Sequence, residues 1–330
     1  MPTMECYDGE YVEILKEMQV RMRQAPELPI DDAPARRTMI ADRFAMVKPL
    51  NYDFGSVTVV QYSLQLPDGH ELQIFGVHPS SPCLRSSSPP SPAPAVLYLH
   101  GGGMTMGSAL DSQSLLAWYA SSAGLPLFSV EYRLAPEHRY PTPVEDCYAA
   151  LKWLCNKAQE LHIDISRIAV MGDSAGGGLA AAVALLARDR ADIPHPLAKQ
   201  ILIQPMLDDR ASSAQSPTSH FVTWTWEDNL AGWTALLGSW AGRCEEEVPC
   251  YAAPARASDL SSLPSTYVEV GALDIFCGQA REYASRLRAD GVDVEFQLYP
   301  GVPHAFHSIL PESQRARQAR WNHLRALQSF

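Results

Sequence analysis

Ser174, in the run Gly-Asp-Ser-Ala-Gly at positions 172–176, is the residue of this chain best placed to do chemistry. The apolar stretch 168–171 before it predicts a buried strand, and the alanine-rich stretch 177–187 after it predicts a helix. A serine in the tight turn between a strand and a helix presents its hydroxyl at the helix N-terminus, where the dipole favours negative charge. The pattern therefore predicts that Ser174 is a nucleophile in acyl transfer.

A glycine run, His-Gly-Gly-Gly at positions 100–103, directly follows a second apolar stretch, 95–99, that also predicts a strand. Glycines have no side chain to keep a substrate oxygen away from backbone N–H groups. We therefore predict that the N–H groups of Gly102, Gly103 and Ala175 form an oxyanion hole. Either motif alone occurs by chance, but the two together, each after a strand, favour ester chemistry.

Candidates for the rest of a catalytic set follow Ser174 in the chain. A serine hydroxyl needs a base to take its proton and an acidic partner that orients the base. His304 comes after the apolar run 294–299 and a Pro-Gly turn, at the predicted carboxyl end of a strand, and is the predicted base. Asp274 follows the run 266–270. An aspartate there is also typical of a helix cap, but its order in the chain favours the acidic role.

Five segments, in this order, resemble the hormone-sensitive-lipase-like carboxylesterases of the α/β-hydrolase superfamily. They are HGGG at 100–103, YRLAPE at 132–137, GDSAG at 172–176, VGALD at 270–274 and PGVPHAF at 300–306. The resemblance implies an α/β-hydrolase fold, a triad of Ser174, Asp274 and His304, no cofactor, and esters of short- to medium-chain acids as substrates. Gly278 and Ala305 depart from the family pattern, which has an aspartate and a glycine there.

Strand and helix patterns alternate from residue 95 onward, which is typical of a mostly parallel sheet covered by helices on both faces. The predicted strands are 95–99, 126–132, 168–171, 199–204, 266–270 and 294–299. The predicted helices lie around 112–122, 144–160, 175–189, 279–289 and 314–328. A predicted hairpin, 57–62 with 71–75, comes before them, and a Ser/Pro-rich stretch, 79–94, is predicted to be an exposed, mobile loop.

The family resemblance implies that two regions outside this alternation form a cap. Residues 1–50 hold an amphipathic helix pattern at 11–22, followed by a Pro- and Asp-rich stretch, and form the N-terminal part. Residues 205–249, rich in tryptophan, form an insertion between the two parts of the hydrolase core, 51–204 and 250–330. These tryptophans equally suit the core of one or two helices. The candidate pocket residues are Met104, Asp173, Trp224, Trp226 and Phe306.

Composition limits the partners of the chain. Its 330 residues carry a net charge of −11, which argues against binding to nucleic acid or to an anionic membrane surface. The first thirty residues hold no apolar signal core and no stretch reaches transmembrane length, so we expect a cytoplasmic protein. The family resemblance, and not the composition, implies a small-molecule ester as its substrate. Seven cysteines without a C-x-x-C pattern require no disulfide, and the spacing of Cys244 and Cys250 neither requires nor forbids one.

Metal binding is disfavoured, because His304 and His307 lack the helical H-E-x-x-H arrangement. Members of the family that this sequence resembles often dimerise through the last edge strand, which here is 294–299. The resemblance therefore leaves a homodimer open.

Two other functions stay open. One is a dedicated biosynthetic enzyme on the same triad, such as an acyltransferase, lactonase, thioesterase or eliminase. The other is a receptor without catalysis, which is disfavoured because the full triad is present.

Overall fold

A mixed sheet forms the centre of the molecule. The structure is a computed structural model that describes residues 6–45, 47, 56–80, 91–210, 223–243 and 248–330. The strands are β1 Val57–Gln65, β2 Glu71–Pro79, β3 Ala93–Leu99, β4 Leu127–Val130, β5 Ile163–Asp173, β6 Lys199–Ile203, β7 Ser265–Gly271 and β8 Val294–Tyr299. The helices are α1 Val12–Gln24, α2 Ala33–Phe44, α3 Gln113–Ala123, α4 Thr142–Lys157, α5 Ala175–Arg190, α6 Trp226–Leu237, α7 Cys277–Ala289, α8 Phe306–Ile309 and α9 Gln314–Leu327.

The sheet has the strand order β1-β2-β4-β3-β5-β6-β7-β8. The hairpin β1–β2 is antiparallel, and β2 also pairs antiparallel with β4. All later neighbours pair in parallel, with β5 between β3 and β6. The predicted α/β fold with a mostly parallel sheet is therefore confirmed. Because parallel strands end at the same edge, the loops after β3, β5, β6, β7 and β8 meet there.

Helices cover both faces of this sheet, as the alternating pattern predicts. Neighbouring residues of β3 point to opposite faces. Leu97 and Leu99 join a core cluster with residues of α4, α5 and α7. Val96 and Tyr98 join a second cluster with residues of α3 and α9. Both faces of the central strands are thus buried, which explains why their sequences are continuous apolar runs.

Helix α2 is an element that the sequence analysis did not predict, since its segment is rich in proline and charged residues. Asp32 precedes the helix and its side chain accepts a hydrogen bond from Ala35 N at 3.1 Å. Pro34 stands in the first turn, where its missing N–H costs nothing. The residues that suggested an irregular stretch are therefore the ones that start the helix.

Helix α6 lies in the tryptophan-rich region. A capping box starts it, in which Thr225 Oγ1 accepts from Asp228 N and Asp228 Oδ2 accepts from Thr225 N, each at 3.1 Å. Helix α2 contacts both α1 and α6.

Two predictions fall at least partly outside the described residues. They are the predicted loop 79–94 and the pairing of Cys244. In the described part of the chain, no helix is long and apolar enough to cross a membrane.

Candidate active site

The turn between β5 and α5 places Ser174 at the carboxyl edge of the sheet. Ser174 has φ 57° and ψ −116°, a backbone conformation that side chains rarely adopt. Small neighbours make this turn possible. A Cβ atom on Gly172 would lie 2.0 Å from the carbonyl oxygen of Gly176, and one on Gly176 would lie 2.0 Å from that of Leu99. Glycine at both positions therefore lets β3, β5 and α5 approach closely around the serine.

Three predicted residues come together at this edge. Ser174 Oγ lies 2.9 Å from His304 Nε2, and His304 Nδ1 lies 2.7 Å from Asp274 Oδ2. The Asp274 side chain is fully buried, and its Oδ1 accepts a further hydrogen bond from Phe276 N at 2.8 Å. The Phe276 ring packs edge-on against the His304 imidazole, with the ring centres 4.9 Å apart.

The geometry defines what this group of residues can do. A carboxylate only accepts hydrogen bonds, so His304 Nδ1 carries the proton that faces Asp274 and Nε2 offers its lone pair to the serine hydroxyl. His304 can therefore take a proton from Ser174 while Asp274 stabilises the charged imidazole. The structure places all three where the sequence analysis expected them; their catalytic role stays a prediction.

The glycine run lies against the serine turn. A Cβ on Gly101 would lie 3.4 Å from Ser174 Cβ, and Gly102 and Gly103 have φ values of 123° and 58°. Within the described residues, the backbone N–H groups of Gly102, Gly103 and Ala175 donate to no other group. Three N–H groups, one next to Ser174 in the chain and two in the loop that contacts it, are thus available to bind a negatively charged oxygen.

His100 supports this loop and is not a base. Its imidazole stacks on the Tyr132 ring at 4.2 Å, and its Nδ1 lies 2.7 Å from the carbonyl oxygen of Gly101. Tyr132 Oη donates to the His100 carbonyl oxygen at 2.7 Å. Burial lowers the pKa of His100 to about 4, against a small opposing effect of the bond to Gly101. A neutral, immobile imidazole is suited to holding the loop.

Two polar side chains outside the predicted set hold the peptide group that follows His304. Thr223 Oγ1 donates to the His304 carbonyl oxygen at 2.6 Å. Gln204 Oε1 accepts from Ala305 N, also at 2.6 Å. In the sequence, Gln204 could have been found as a polar residue that directly follows the apolar run 201–203. Thr223 carries no such signal.

Two buried histidines face carboxylates near the serine turn. His307 Nε2 is 3.6 Å from Asp173 Oδ2, and His323 Nε2 is 2.7 Å from Glu269 Oε2. Burial raises the pKa of the Glu269 carboxyl, but His323, Tyr267 and His307 together outweigh it, so the pKa is lowered overall. His307 and His323 lie in polar or amphipathic stretches of the sequence, but in the structure both are core residues. Among the described residues, no group of three or more His, Cys, Asp or Glu side chains is arranged to hold a metal.

The candidate pocket residues lie in different surroundings. The Trp224 indole covers Gly103, since a Cβ there would lie 2.4 Å from the ring. Trp226 is half-buried at the start of α6, and Met104 is almost fully buried. The pocket assignment of Phe306 needs correction. Its ring has no exposed surface and packs against Tyr11 and Tyr299 in a core cluster beneath α1. The apolar residue that suggested a pocket wall fills the protein core instead.

A buried ion cluster connects α2 to α6. Arg43 Nη1 lies 2.5 Å from Asp228 Oδ2 and donates to the Thr223 carbonyl oxygen at 2.9 Å. Arg36 Nη1 lies 3.6 Å from the other oxygen of Asp228. Arg37, on the same helix, donates to the Thr105 carbonyl oxygen at 2.5 Å. Helix α2 is therefore tied both to α6 and to the loop that follows the glycine run.

Known proteins resemble this chain over the whole of the site. The sequence profile of a family described as having the alpha/beta hydrolase fold matches residues 96–308. The ethyl acetate hydrolase of Pseudomonas putida is 34% identical over 247 residues, which is 74% of each chain. Esterase LipI of Mycobacterium tuberculosis is 34% identical over 65% of this chain and 66% of its own length. A solved structure titled bacterial heroin esterase superposes with a TM-score of 0.84 at 34% identity, covering 99% of this chain and 98% of that one.

Proposed function

The chain belongs to the hormone-sensitive-lipase-like esterase family of the α/β-hydrolase fold, and we propose that it cleaves esters of short- to medium-chain acids through an acyl-enzyme on Ser174. The chain is a carboxylic ester hydrolase, as its relatives are. The nucleophile, the base, the oxyanion hole and the acyl range are our proposals. The observation that carries the nucleophile and the base is the continuous hydrogen-bonded series Ser174–His304–Asp274, at 2.9 and 2.7 Å. The acyl range rests on the family resemblance alone.

Each step of the proposed reaction uses a group already in position. His304 Nε2 takes the Ser174 proton as Oγ attacks the ester carbonyl carbon, and Asp274 stabilises the imidazolium that forms. The carbon–oxygen bond to the alcohol then breaks, and His304 protonates the leaving alkoxide. Water, activated by the same imidazole, attacks the acyl-enzyme and releases the acid, and the proton returns to Ser174.

The proposed oxyanion hole carries the charge that develops on the carbonyl oxygen. Ala175 directly follows Ser174, and the glycine loop packs against Ser174 at Gly101. The N–H groups of Gly102, Gly103 and Ala175 have no other acceptor in the described part of the chain. Removing one such donor from an enzyme of this kind typically costs about 3–4 kcal/mol of transition-state stabilisation. These backbone groups cannot be removed by substitution, so the nucleophile is the residue to test.

Substitution of the nucleophile tests this function. Ser174→Ala is expected to keep the fold and to lose at least about a thousandfold in kcat on p-nitrophenyl acetate, butyrate and octanoate. Ser121→Ala, on the exposed side of α3, is the matched control and should retain wild-type rates. Wild-type enzyme should show a burst of p-nitrophenol followed by turnover. A folded Ser174→Ala protein with a rate near that of the control would refute the assignment.

We also propose that α1, α2 and α6 form a cap over the acyl pocket. The contact of Trp224 with Gly103 supports this, because it places an indole of the cap region directly on the oxyanion loop. Trp224→Ala and Trp226→Ala should change the ratio of kcat/KM between acetate and octanoate esters. Trp240→Ala, whose side chain is exposed, is the control. An unchanged ratio of kcat/KM between the two esters in both variants would refute the proposal.

Two broader proposals concern the whole protein. Its buried free thiols, Cys147 and Cys155, support a cytoplasmic location, which cell fractionation would test. Strand β8 pairs only with β7 among the described strands, and this open edge supports a homodimer formed through β8.

A further inference from the structure

The peptide group between His304 and Ala305 is held at both of its polar atoms by side chains. Thr223 Oγ1 donates to its carbonyl oxygen at 2.6 Å, and Gln204 Oε1 accepts from its N–H at 2.6 Å. Ala305 has φ 57°, so the backbone directly after His304 is in a left-handed conformation without a glycine. Fixing this peptide plane fixes the direction in which the His304 imidazole leaves the chain.

Gln204 is also connected to the nucleophile. It is fully buried and directly follows β6, whose last residue, Ile203, accepts a hydrogen bond from Ser174 N at 2.8 Å. Met206 N donates to the Ser174 carbonyl oxygen at 2.9 Å. The same short segment therefore holds the backbone of the serine on one side and the loop of the histidine on the other.

The amide nitrogen of Gln204 determines which ring nitrogen of His307 can carry a proton. Gln204 Nε2 lies 2.7 Å from His307 Nδ1. The Ala305 N–H can only donate, so the amide oxygen must face it, and the amide NH2 then faces His307. Two donors cannot share a hydrogen bond, so His307 Nδ1 must carry a lone pair. This requires a neutral His307 with its proton on Nε2, the nitrogen nearer Asp173.

We propose that Gln204 is a positioning residue for His304, acting through the Ala305 amide, and that it holds this position only while His307 is neutral. The inference rests on the proposed function, in which His304 is the base. A proton on His307 Nδ1 would face the amide NH2. Gln204 would then turn its amide oxygen toward that proton, and its bond to Ala305 would be lost.

The groups around His307 decide where it titrates. Asp173 faces it from the end of β5 at 3.6 Å, Glu269 from β7, and His323 and Arg320 from α9, with the His323 ring centre 6.3 Å away. Burial and Arg320 lower the pKa of His307, but the two carboxylates outweigh them and the pKa is raised from its usual value. His307 is neutral above this pKa, so Gln204 takes up the proposed position as the pH rises.

The pH dependence of kcat/KM separates this idea from a structural role. In wild-type enzyme, protonation of either His304 or His307 should stop the reaction, so the acid limb of log kcat/KM is expected to reach a slope of two. His307→Asn keeps an acceptor next to the ring attachment point but does not titrate. It should reach a slope of one, with an alkaline plateau lowered less than about tenfold.

Thr223→Val is the matched control, since it removes the other hydrogen bond to the same peptide and has no titrating partner there. It should lower kcat with little change in KM and keep the slope of two. A slope of two in His307→Asn would overturn the proposal, and so would a full alkaline kcat in Gln204→Leu. If Ser174→Ala abolishes activity while these tests fail, the esterase assignment stands and only this inference falls.

A measurement without turnover completes the test. In Ser174→Ala protein labelled with nitrogen-15, the His307 ring nitrogens should report the Nε2-protonated neutral form at alkaline pH. The Ala305 amide should shift with the same midpoint as His307 as the pH falls. A neutral ring protonated on Nδ1, or an Ala305 amide that ignores the titration of His307, would contradict the proposed coupling.

Discussion

Strained single residues surround the candidate nucleophile. Ser174, Gln204, Ala305 and Met104 all have φ between 45° and 67°, although none is a glycine. A left-handed conformation costs an L-residue about 1–2 kcal/mol. Ser174 gains a position at the tip of the turn that points its hydroxyl at His304, and Gln204 and Ala305 are joined by a hydrogen bond. The strain is therefore concentrated where side chains must point in directions that regular structure does not offer.

The family pattern has a glycine at position 305, so Ala305→Gly should relieve backbone strain there. Glycine accepts a φ of 57° at no steric cost, but it adds about 0.5–1 kcal/mol of backbone entropy to the unfolded chain. The expected net effect is a gain of up to about 1 kcal/mol in the free energy of unfolding, measured by urea denaturation. Gly124→Ala, at φ 71° with open space around it, should change stability in the opposite direction. A loss of stability in Ala305→Gly would refute this explanation.

His100→Asn should remove one source of acid instability. An unfolded histidine takes up a proton near pH 6.5, whereas folded His100 stays neutral down to about 4. Between these values the unfolded state binds more protons, so stability is full above pH 6.5 and falls as the pH falls. The difference corresponds to about 3 kcal/mol. Asparagine keeps an N–H for the Gly101 carbonyl without titrating.

The measurement is the free energy of unfolding of both proteins between pH 4 and 7. The variant should lose less stability toward pH 4 than the wild type by up to about 3 kcal/mol. Parallel curves for the two proteins would show that another group governs the acid loss.

At the scale of elements, helix α6 and the glycine loop approach closely. A Cβ on Gly232 would lie 2.7 Å from the carbonyl oxygen of Gly103, and Trp224, just before the helix, covers the same glycine. The loop that offers the proposed oxyanion donors is thus held between the sheet and α6. A small displacement of this helix is transmitted to the donors.

Gly232→Ala should therefore lower catalysis more than stability. The added methyl pushes α6 away from Gly103, and a misplacement of up to about 1 Å near reacting groups costs about 10- to 100-fold in kcat. The control is Gly278→Ala, the same change in helix α7, where nothing lies within 4 Å. It should gain about 0.5–1 kcal/mol of stability at wild-type kcat. A normal kcat in folded Gly232→Ala would show that the loop does not depend on α6.

At the scale of the whole molecule, the sequence predicted the parts that obey local rules. Apolar runs located β3 to β8, and small residues around Ser174 located the turn after β5. The order of Ser174, Asp274 and His304 predicted which side chains meet, because all parallel strands end at one edge. Helix α2 was missed, since Pro34 and Asp32 suggested an irregular segment and act as start signals instead.

Long-range polar contacts could not be read from the sequence. Gln204 and Thr223 hold the peptide after His304, yet they lie 101 positions before Ala305 and 81 positions before His304. Glu269 is the one charged residue of β7, and nothing near it in the sequence points to its partner, which is His323 on the last helix. Phe306 likewise has an apolar side chain that suits a pocket or a core equally.

Leu298→Arg tests the assembly of the molecule through β8. Leu298 is exposed on this edge strand, and a charge there would be buried without a partner if two copies pair along β8. The wild type should sediment as a dimer at micromolar concentration and the variant as a monomer. Leu110→Arg, at a more exposed leucine elsewhere, is the control. A monomeric wild type would rule out the homodimer.

The contact between Ser174 Oγ and His304 Nε2 joins residues 130 positions apart in the chain. It exists only when β5, β6, β7 and β8 are all in register, because each of them carries part of the site or its support. On the proposed mechanism, a phosphonate that reacts covalently with Ser174 therefore counts correctly assembled molecules. Active-site titration of a refolding or ageing sample would measure the native fraction directly, independent of how much secondary structure survives.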